Sequence, residues 1–386
     1  MPLFGKFKYG GKNVISGSDA GAIAAKLCRP SVISAYPITP QTIIVERLAE
    51  MVNNGEMKAE MVKVESEHSA ASVQMGAQAT GVRTIGASCS QGLALMNEIL
   101  HVISGLRLPC VMMVANRALS APISIWNDHS DTMASRDTGW IQLHCENNQE
   151  IFDTVIQAYK IAEDKNVMLP IMPCFDGYIL SHLYESVNVA TQSQVDNFLP
   201  AYKAVHHYLD PKRPITIGSV APPNCYTEFK FQQQKAMDKA LKVIKKVNSE
   251  FSKEFGRSYG NGLVEEYKLK NADTVLIGMG SVCGTIKSVV DKHKGVGLLR
   301  IKSFRPFPTE DIVRALSNAK RVAVVDKAFS FGNAGPLFTE VKAVSPVKKI
   351  NGFIMGLGGR SITEKDIEFV IKNAGVEKNF WVNVNE

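Results

Sequence analysis

From about residue 16 to residue 180, short apolar runs take turns with longer stretches whose apolar residues recur every three to four positions. SVISAYP, MVKVES, RTIGASCS, PCVMMVANR and VMLPIMPCFDG read as strands. Between them SGSDAGAIAAKLC (starting near Ser16 or Ser18), TIIVERLAEMVNN, EHSAASVQMGAQATG, GLALMNEILHVISGL and QEIFDTVIQAYKIAEDKN read as helices. Strands and helices alternating in this way predict an α/β fold, a mostly parallel sheet with helices on both faces. We assign this part to residues 1–235 and read residues 236–270 as a linker that carries a charged helix and the glycine-bearing FGRSYGNG. The proline-rich DPKRPITIGSVAPPNCYTEF leads into it. ADTVLIGMGSVCGTIKSVVDKH then opens a smaller α/β domain, residues 271–386, with further β–α alternations.

The stretch SAYPITPQT, Ser34 to Thr42, stands at the first strand-to-helix junction. Proline fixes its own φ and pushes the preceding residue toward extended geometry. Two prolines around Ile38 and Thr39 therefore predict a stiff turn, with Thr39 at the N-cap and the helix starting near Pro40. In parallel sheets, functional residues gather in loops beyond the carboxyl ends of the strands. Thr39, Glu65 to His68, Ser88 to Gln91 and Asn116 to Ser120 all fall at such ends.

Each of these loops has a purely structural explanation beside a chemical one. Glu65 and Glu67 complement a helix macrodipole, and Ser66 suits the N-cap; equally, one carboxylate projects into a cleft. His68 has no second ligand at metal-binding spacing and packs or hydrogen-bonds. ASCSQGLALM either caps its helix or offers backbone N–H groups to an anion. The run VANRALSAPISIWNDHSDTMASRDTGWIQL is long, polar and aperiodic, which predicts a functional loop. Arg117, just past a strand, suits two-pronged capture of a carboxylate or phosphate, or a salt bridge with a nearby acid. We read NDHSD as a hydrogen-bonded network. GMGSVC lacks the third glycine of a dinucleotide fingerprint and reads as a tight turn.

Composition narrows the classes. At 386 residues the chain suggests two or three domains, and 45% hydrophobic with 21% charged residues is ordinary globular usage. No apolar run reaches the ~20 residues of a membrane helix. The N-terminal MPLFGKFKYGGKNVISG lacks the apolar core of a secretory signal, so the chain reads as cytoplasmic. The net charge of +7 is spread out, without a basic stripe, and argues against nucleic acid. It suits an acidic protein partner better. Seven cysteines are scattered without C-x-x-C and read as free, mostly buried thiols, with packing roles for Cys89 and Cys283.

YPITP, ESEH, SQGL, ANRALSAPISIWNDHSD and SRDTGW occur in that order. Together, and with SFRPFP in the second domain, they closely resemble the α subunits of pyruvate:ferredoxin and related 2-oxoacid:ferredoxin oxidoreductases over the whole chain. The resemblance implies a parallel-sheet pyrimidine-side domain for thiamine diphosphate, followed by a transketolase C-terminal-like domain. Glu67 would hydrogen-bond the aminopyrimidine and promote its imino tautomer, with Glu65 as the alternative. Arg117 would pair with the substrate carboxylate, Thr39 would hydrogen-bond the keto or carboxylate oxygen, and Pro37, Ser90 and Gln91 would line the cofactor.

The chain lacks the G-D-G…N element that holds Mg²⁺ and diphosphate, FDGY at Phe175 being without the preceding glycine, and it lacks cluster-binding cysteines. Mg²⁺, diphosphate and [4Fe-4S] clusters are therefore expected on beta, gamma and delta-type partners, with coenzyme A taking the acyl group and ferredoxin the electrons. YPITP and ANRALSAP favour pyruvate. Other 2-oxoacids (2-oxoglutarate, branched-chain, aryl, oxalate), a non-catalytic structural subunit, and an NAD-binding dehydrogenase are the alternatives.

Overall fold

The computed structural model of the chain describes residues 7–385. Residues 1–6, the start of the stretch read as lacking a secretory signal, lie outside the described residues. The first part runs β1 (Gly11–Ser16), α1 (Gly17–Leu27), β2 (Val32–Ser34), α2 (Thr42–Asn53), β3 (Glu60–Val62), α3 (Glu67–Ala79), β4 (Thr84–Ser88), α4 (Ser90–Leu95) and α5 (Asn97–Gly105). It continues with β5 (Val111–Asn116), α6 (Ser130–Ala134), β6 (Ile141–His144), α7 (Asn148–Ala162), β7 (Ile171–Asp176), β8 (Tyr184–Val189), α8 (Gln192–Phe198) and α9 (Tyr226–Phe255). The second part holds β9 (Val264–Tyr267), β10 (Thr274–Gly278), α10 (Val282–Val290), β11 (Val296–Ile301), β12 (Ser303–Arg305), α11 (Thr309–Ala315) and β13 (Arg321–Asp326). It ends with α12 (Pro336–Val344), β14 (Ile350–Ile354), α13 (Glu364–Lys372) and β15 (Phe380–Trp381).

The first sheet has the order β12-β6-β7-β5-β4-β2-β3, parallel throughout except where β12 pairs antiparallel with β6. Its strands are buried on both faces, as a parallel sheet between helices demands. On β5 the alternation is explicit: Val111, Met113 and Ala115 point into the core shared with α1 and α7. Met112 and Val114 point into the core under α3, α4 and α5. The second sheet, β15-β14-β13-β10-β11-β9, repeats the pattern. Val275 and Ile277 of β10 join the same core as the first sheet, whereas Leu276 faces a separate cluster with Ile286, Val325 and Phe353.

Three expectations are corrected. First, the stretch expected as a linker is mostly α9, a 30-residue helix. It buries Ala236, Ala240, Val243, Ile244, Val247 and Phe251 in the main core, because its apolar residues keep helical spacing. Second, the helix after YPITP starts at Thr42, not Pro40, and neither Thr39 nor its N-cap Gln41 caps it with a side chain. The Gln41 N–H donates to the Ile38 carbonyl at 2.8 Å, so residues 38–41 close a turn of their own first. Third, the parts interlock: β12, from the second part, is an edge strand of the first sheet. Periodicity also missed β1, β6, β8 and α6. Elsewhere Ser16 and Ser66 are the N-caps of α1 and α3, each accepting a backbone N–H with its side chain.

Two buried polar clusters tie the parts together. Glu150 of α7 accepts from Arg300 and, at 2.6 Å, from Lys302. Asp176, at the end of β7, receives His129 Nε2 at 2.7 Å, Lys327 Nζ at 2.8 Å and the Ser281 N–H at 3.1 Å. Burial opposes the charge on Asp176, yet Lys327 and His129 hold its carboxyl well below the usual range. Asp176 is the aspartate of FDGY, and Ser281 belongs to GMGSVC. The N–H group that a dinucleotide phosphate would require there is thus taken by a protein carboxylate, as a tight turn implies. Among the described residues no helix is long and apolar enough to cross a membrane.

Candidate active site

The connections leaving β2 and β4 run to opposite sides of the sheet, β3 lying beyond β2 and β5 beyond β4. Such a switch point opens a crevice at the carboxyl ends of the two strands. YPITP follows β2 on one side of this crevice, and Cys89–Ser90 follows β4 on the other. Buried Gln41 stitches them together: its Nε2 donates to the Ala87 carbonyl at 2.7 Å. The Cys89 Sγ lies 3.3 Å from the Thr39 carbonyl. Burial, with the Asp131 carboxylate near it, pushes the Cys89 thiol up and leaves it a packing group. Cys283 is likewise buried.

Glu67 is the first residue of α3 and only 8% exposed. Its carboxylate makes no hydrogen bond or ion pair among the described residues. It lies against Gly92 of α4, where a Cβ would come within 2.7 Å of the Glu67 side chain and of Ser88 Oγ. Ser88 Oγ is itself buried without a partner. By contrast Glu65 is exposed and accepts Ser69 Oγ at 2.6 Å. The two carboxylates are thus sharply different: one is at the surface and satisfied, the other faces the crevice and is not.

Arg117 is buried and meets Thr39 directly. Its Nη1 donates to the Thr39 carbonyl and its Nε to the Ser124 carbonyl, each at 2.9 Å. Nη2 has no protein acceptor among the described residues. Thr39, Pro37 and Tyr36 are exposed, and the backbone of Thr39 meets the guanidinium. Ser90 takes a left-handed φ of 49°. Its N–H donates to Asp131 Oδ2 at 2.9 Å, and its hydroxyl to the Ala118 carbonyl at 2.6 Å. The polar groups of Ser90 therefore serve the protein itself, and the side-chain amide of half-buried Gln91 lies 2.6 Å from the same hydroxyl. Of the N–H groups in this turn, that of Ser90 is taken by an internal carboxylate.

That carboxylate, Asp131, also accepts the Arg117 N–H at 3.0 Å and Asn116 Nδ2 at 2.7 Å. Burial pushes it up to about 6 despite these donors. The rest of NDHSD is hydrogen-bonded as expected, with Asp128 accepting from the Ser130 N–H at 2.9 Å and His129 on Asp176. Around the crevice Leu95, Ile123, Ile125 and Trp126 are exposed, leaving an apolar rim.

Residues 23–249 match the family described as pyruvate flavodoxin/ferredoxin oxidoreductase, thiamine diphosphate-binding. Residues 272–367 match core domain II of pyruvate:ferredoxin oxidoreductase. This chain belongs to the pyruvate:ferredoxin oxidoreductase family. It is 56% identical over 97% of its length to pyruvate synthase subunit PorA of Methanocaldococcus jannaschii, covering 98% of that protein. It is 45% identical over 94% of its length to ketoisovalerate oxidoreductase subunit VorA of Pyrococcus horikoshii, covering 93% of it. Among solved structures, a 2-oxoglutarate:ferredoxin oxidoreductase from Magnetococcus marinus superposes with TM-score 0.73 at 18% identity. That match takes in 94% of this chain and 65% of the other, and establishes a shared fold.

The match to the thiamine-diphosphate-binding family falls on the first part, which carries Glu67, Ser88 and Gly92. Sequence reasoning missed Gln41, Asp131 and Asp176 as organisers. Gln41 lies in the turn before α2 and Asp131 in α6, within the NDHSD run, and of the three Asp176 stands at a strand end.

Proposed function

We propose that this chain is the subunit of a pyruvate:ferredoxin oxidoreductase that holds the pyrimidine side of thiamine diphosphate and the substrate carboxylate. The observation that carries this reading is the buried, donor-free Glu67 packed on Gly92, in the crevice that also carries the Arg117–Thr39 contact. Thiamine diphosphate, when bound, supplies a carbon nucleophile for the keto group and an electron sink for loss of carbon dioxide. Glu67 accepts a hydrogen bond from the pyrimidine ring and holds the proton that moves there. Arg117, oriented by the Thr39 and Ser124 carbonyls, has Nη2 unspent and pairs with the 2-oxoacid carboxylate. Thr39 donates its hydroxyl to a substrate oxygen, and the Ile38–Gln41 turn with its Gln41 anchor keeps that hydroxyl in place.

Partner chains of beta, gamma and delta type complete the site. They bring Mg²⁺, the diphosphate-binding residues and the iron–sulfur clusters, and they cover the rim of Leu95, Ile123, Ile125 and Trp126. Coenzyme A accepts the acyl group, and electrons pass to ferredoxin. Pyruvate is the substrate best supported by likeness to pyruvate synthase subunits. The likeness to a ketoisovalerate oxidoreductase subunit favours a branched 2-oxoacid as the second reading.

The test is the reconstituted assembly, assayed for methyl viologen reduction with a panel of 2-oxoacids and coenzyme A. Pyruvate should be preferred, and the chain without its partners should be inactive. Retained pyruvate-dependent reduction in Glu67→Ala would overturn the assignment.

A further inference from the structure

The loop that follows Arg117 is not held by the first part alone. Within it, the Ala118 N–H donates to the Trp126 carbonyl at 3.0 Å, and the Ser124 carbonyl accepts Arg117 Nε. The apex is open: Ala121, Pro122 and Ile123 are exposed, Ile123 by 77%. From the other side the second part grips the same stretch. The Gly359 N–H donates to the Asn127 carbonyl at 2.5 Å, and the Gly358 N–H to Asp128 Oδ2 at 3.2 Å. The His129 N–H donates to the Lys327 carbonyl at 2.8 Å.

The approach is close enough to require glycine. Gly356, Gly358 and Gly359 have φ of 72°, 57° and 77°, the left-handed region that a side chain disfavours. A Cβ on Gly359 would come 2.5 Å from Trp126 Cβ, and one on Gly358 would come 3.4 Å from Ser124 Oγ. The turn after β14 therefore presses backbone against Trp126, which is hydrogen-bonded to Ser124, the residue whose carbonyl aims the Arg117 guanidinium.

We propose that the Gly356–Arg360 turn of the second part is a positioning element for the substrate arginine, setting the affinity of the site for the 2-oxoacid carboxylate. The proposal rests on the reading of Arg117 as the carboxylate partner. The line of contact runs from Gly359 to Trp126, whose N–H donates to Ser124 Oγ at 3.3 Å, and from the Ser124 carbonyl to Arg117. Neither glycine touches substrate. Their part is to keep the loop at one height, so that the Ser124 carbonyl stays in line with Nε.

The experiment uses the assembled enzyme carrying Gly359→Ala, Gly295→Ala or Arg117→Lys. Gly295 also has a left-handed φ, 74°, but a Cβ there meets nothing within 4 Å, so it reports the backbone strain alone. Gly359→Ala should raise the KM for pyruvate by roughly tenfold or more, the scale expected for a small displacement of a substrate-orienting group. Its kcat should change far less, and its KM for coenzyme A should stay put. Gly295→Ala should leave all three parameters at the parent value.

If Gly359→Ala lowers the melting temperature and leaves the pyruvate KM at the Gly295→Ala value, the turn is scaffold only and the proposal falls. Arg117→Lys separates the two readings. A raised pyruvate KM there, without one in Gly359→Ala, removes the positioning role alone. An unchanged KM in Arg117→Lys removes the carboxylate reading beneath it. Should Gly359→Ala fail to assemble, Gly358→Ala, whose methyl makes only an ordinary contact, decides in the same way: a smaller rise supports the proposal and none overturns it.

Discussion

Two glutamates two positions apart show how far one residue's surroundings decide its chemistry. Glu65 lies at the surface and is satisfied by Ser69, whereas Glu67 is buried against Gly92 with no donor. Positioned proton-transfer groups contribute on the order of 10²–10⁴ in rate. Glu67→Gln, which keeps the shape and removes the charge, should therefore lower methyl viologen reduction by about 100-fold or more, while Glu65→Ala stays near the parent rate. The pair is read in one assay of the reconstituted assembly. Equal losses in the two variants would show that the distinction drawn from burial is wrong. Ser90 makes the same point in reverse: it stands at the expected strand end, but its hydroxyl and N–H are spent on Ala118 and Asp131.

At the scale of elements, α7 is held to β11 and the residue after it by charge as well as by packing. Burial by itself would raise the Glu150 carboxyl, but Arg300 and Lys302 bring it down to about 2. A carboxyl depressed from its ordinary 4.5 stabilises the fold above that value. The contribution is lost as pH falls from 4.5 toward 2. Glu150→Gln should thus be less stable than the parent at neutral pH, by about 3–5 kcal/mol, because Lys302 loses its carboxylate while Arg300 keeps Glu265 at 2.8 Å. In urea melts the gap should close as the pH drops below 4.5, and a pH-independent gap would exclude the linkage.

At the scale of the molecule, the division into two parts is weaker than the chain order suggests. One hydrophobic core includes Val111 and Phe152 from the first part and Ile277 and Val324 from the second. β12 leaves the second part to edge the first sheet, and Asp176 holds Lys327 and Ser281 across the seam. We expect a single cooperative unfolding transition in calorimetry, because neither part can lose its share of the core alone. Asp176→Ala leaves Lys327 buried without its carboxylate and should lower that transition markedly. Two well-separated transitions in the parent chain would contradict this picture.

The alternation of strands and helices, the crevice-lining loops and the residues they carry were legible in the chain because they depend on local patterns. Period-two and period-3.6 spacing, caps such as Ser16 and Ser66, and a set of short motifs in order all act over a few residues. Those patterns place Glu67, Arg117 and Thr39 at strand ends, and the resemblance alone gives them roles. What could not be read was everything that needs two distant segments to meet. The Arg117–Thr39 contact spans 78 residues and the Asp176–Lys327 pair 151, distances over which no local pattern carries information. The four-residue β6, the three-residue β12 and the five-residue α6 are too short to display a period, so they were missed. The different surroundings of Glu65 and Glu67, the engagement of Ser90 by Asp131, and the Gly358–Gly359 turn against the Arg117 loop were all decided by tertiary packing. Burial and close approach are properties of the folded arrangement, and the linear chain only supplies the residues able to take part in them.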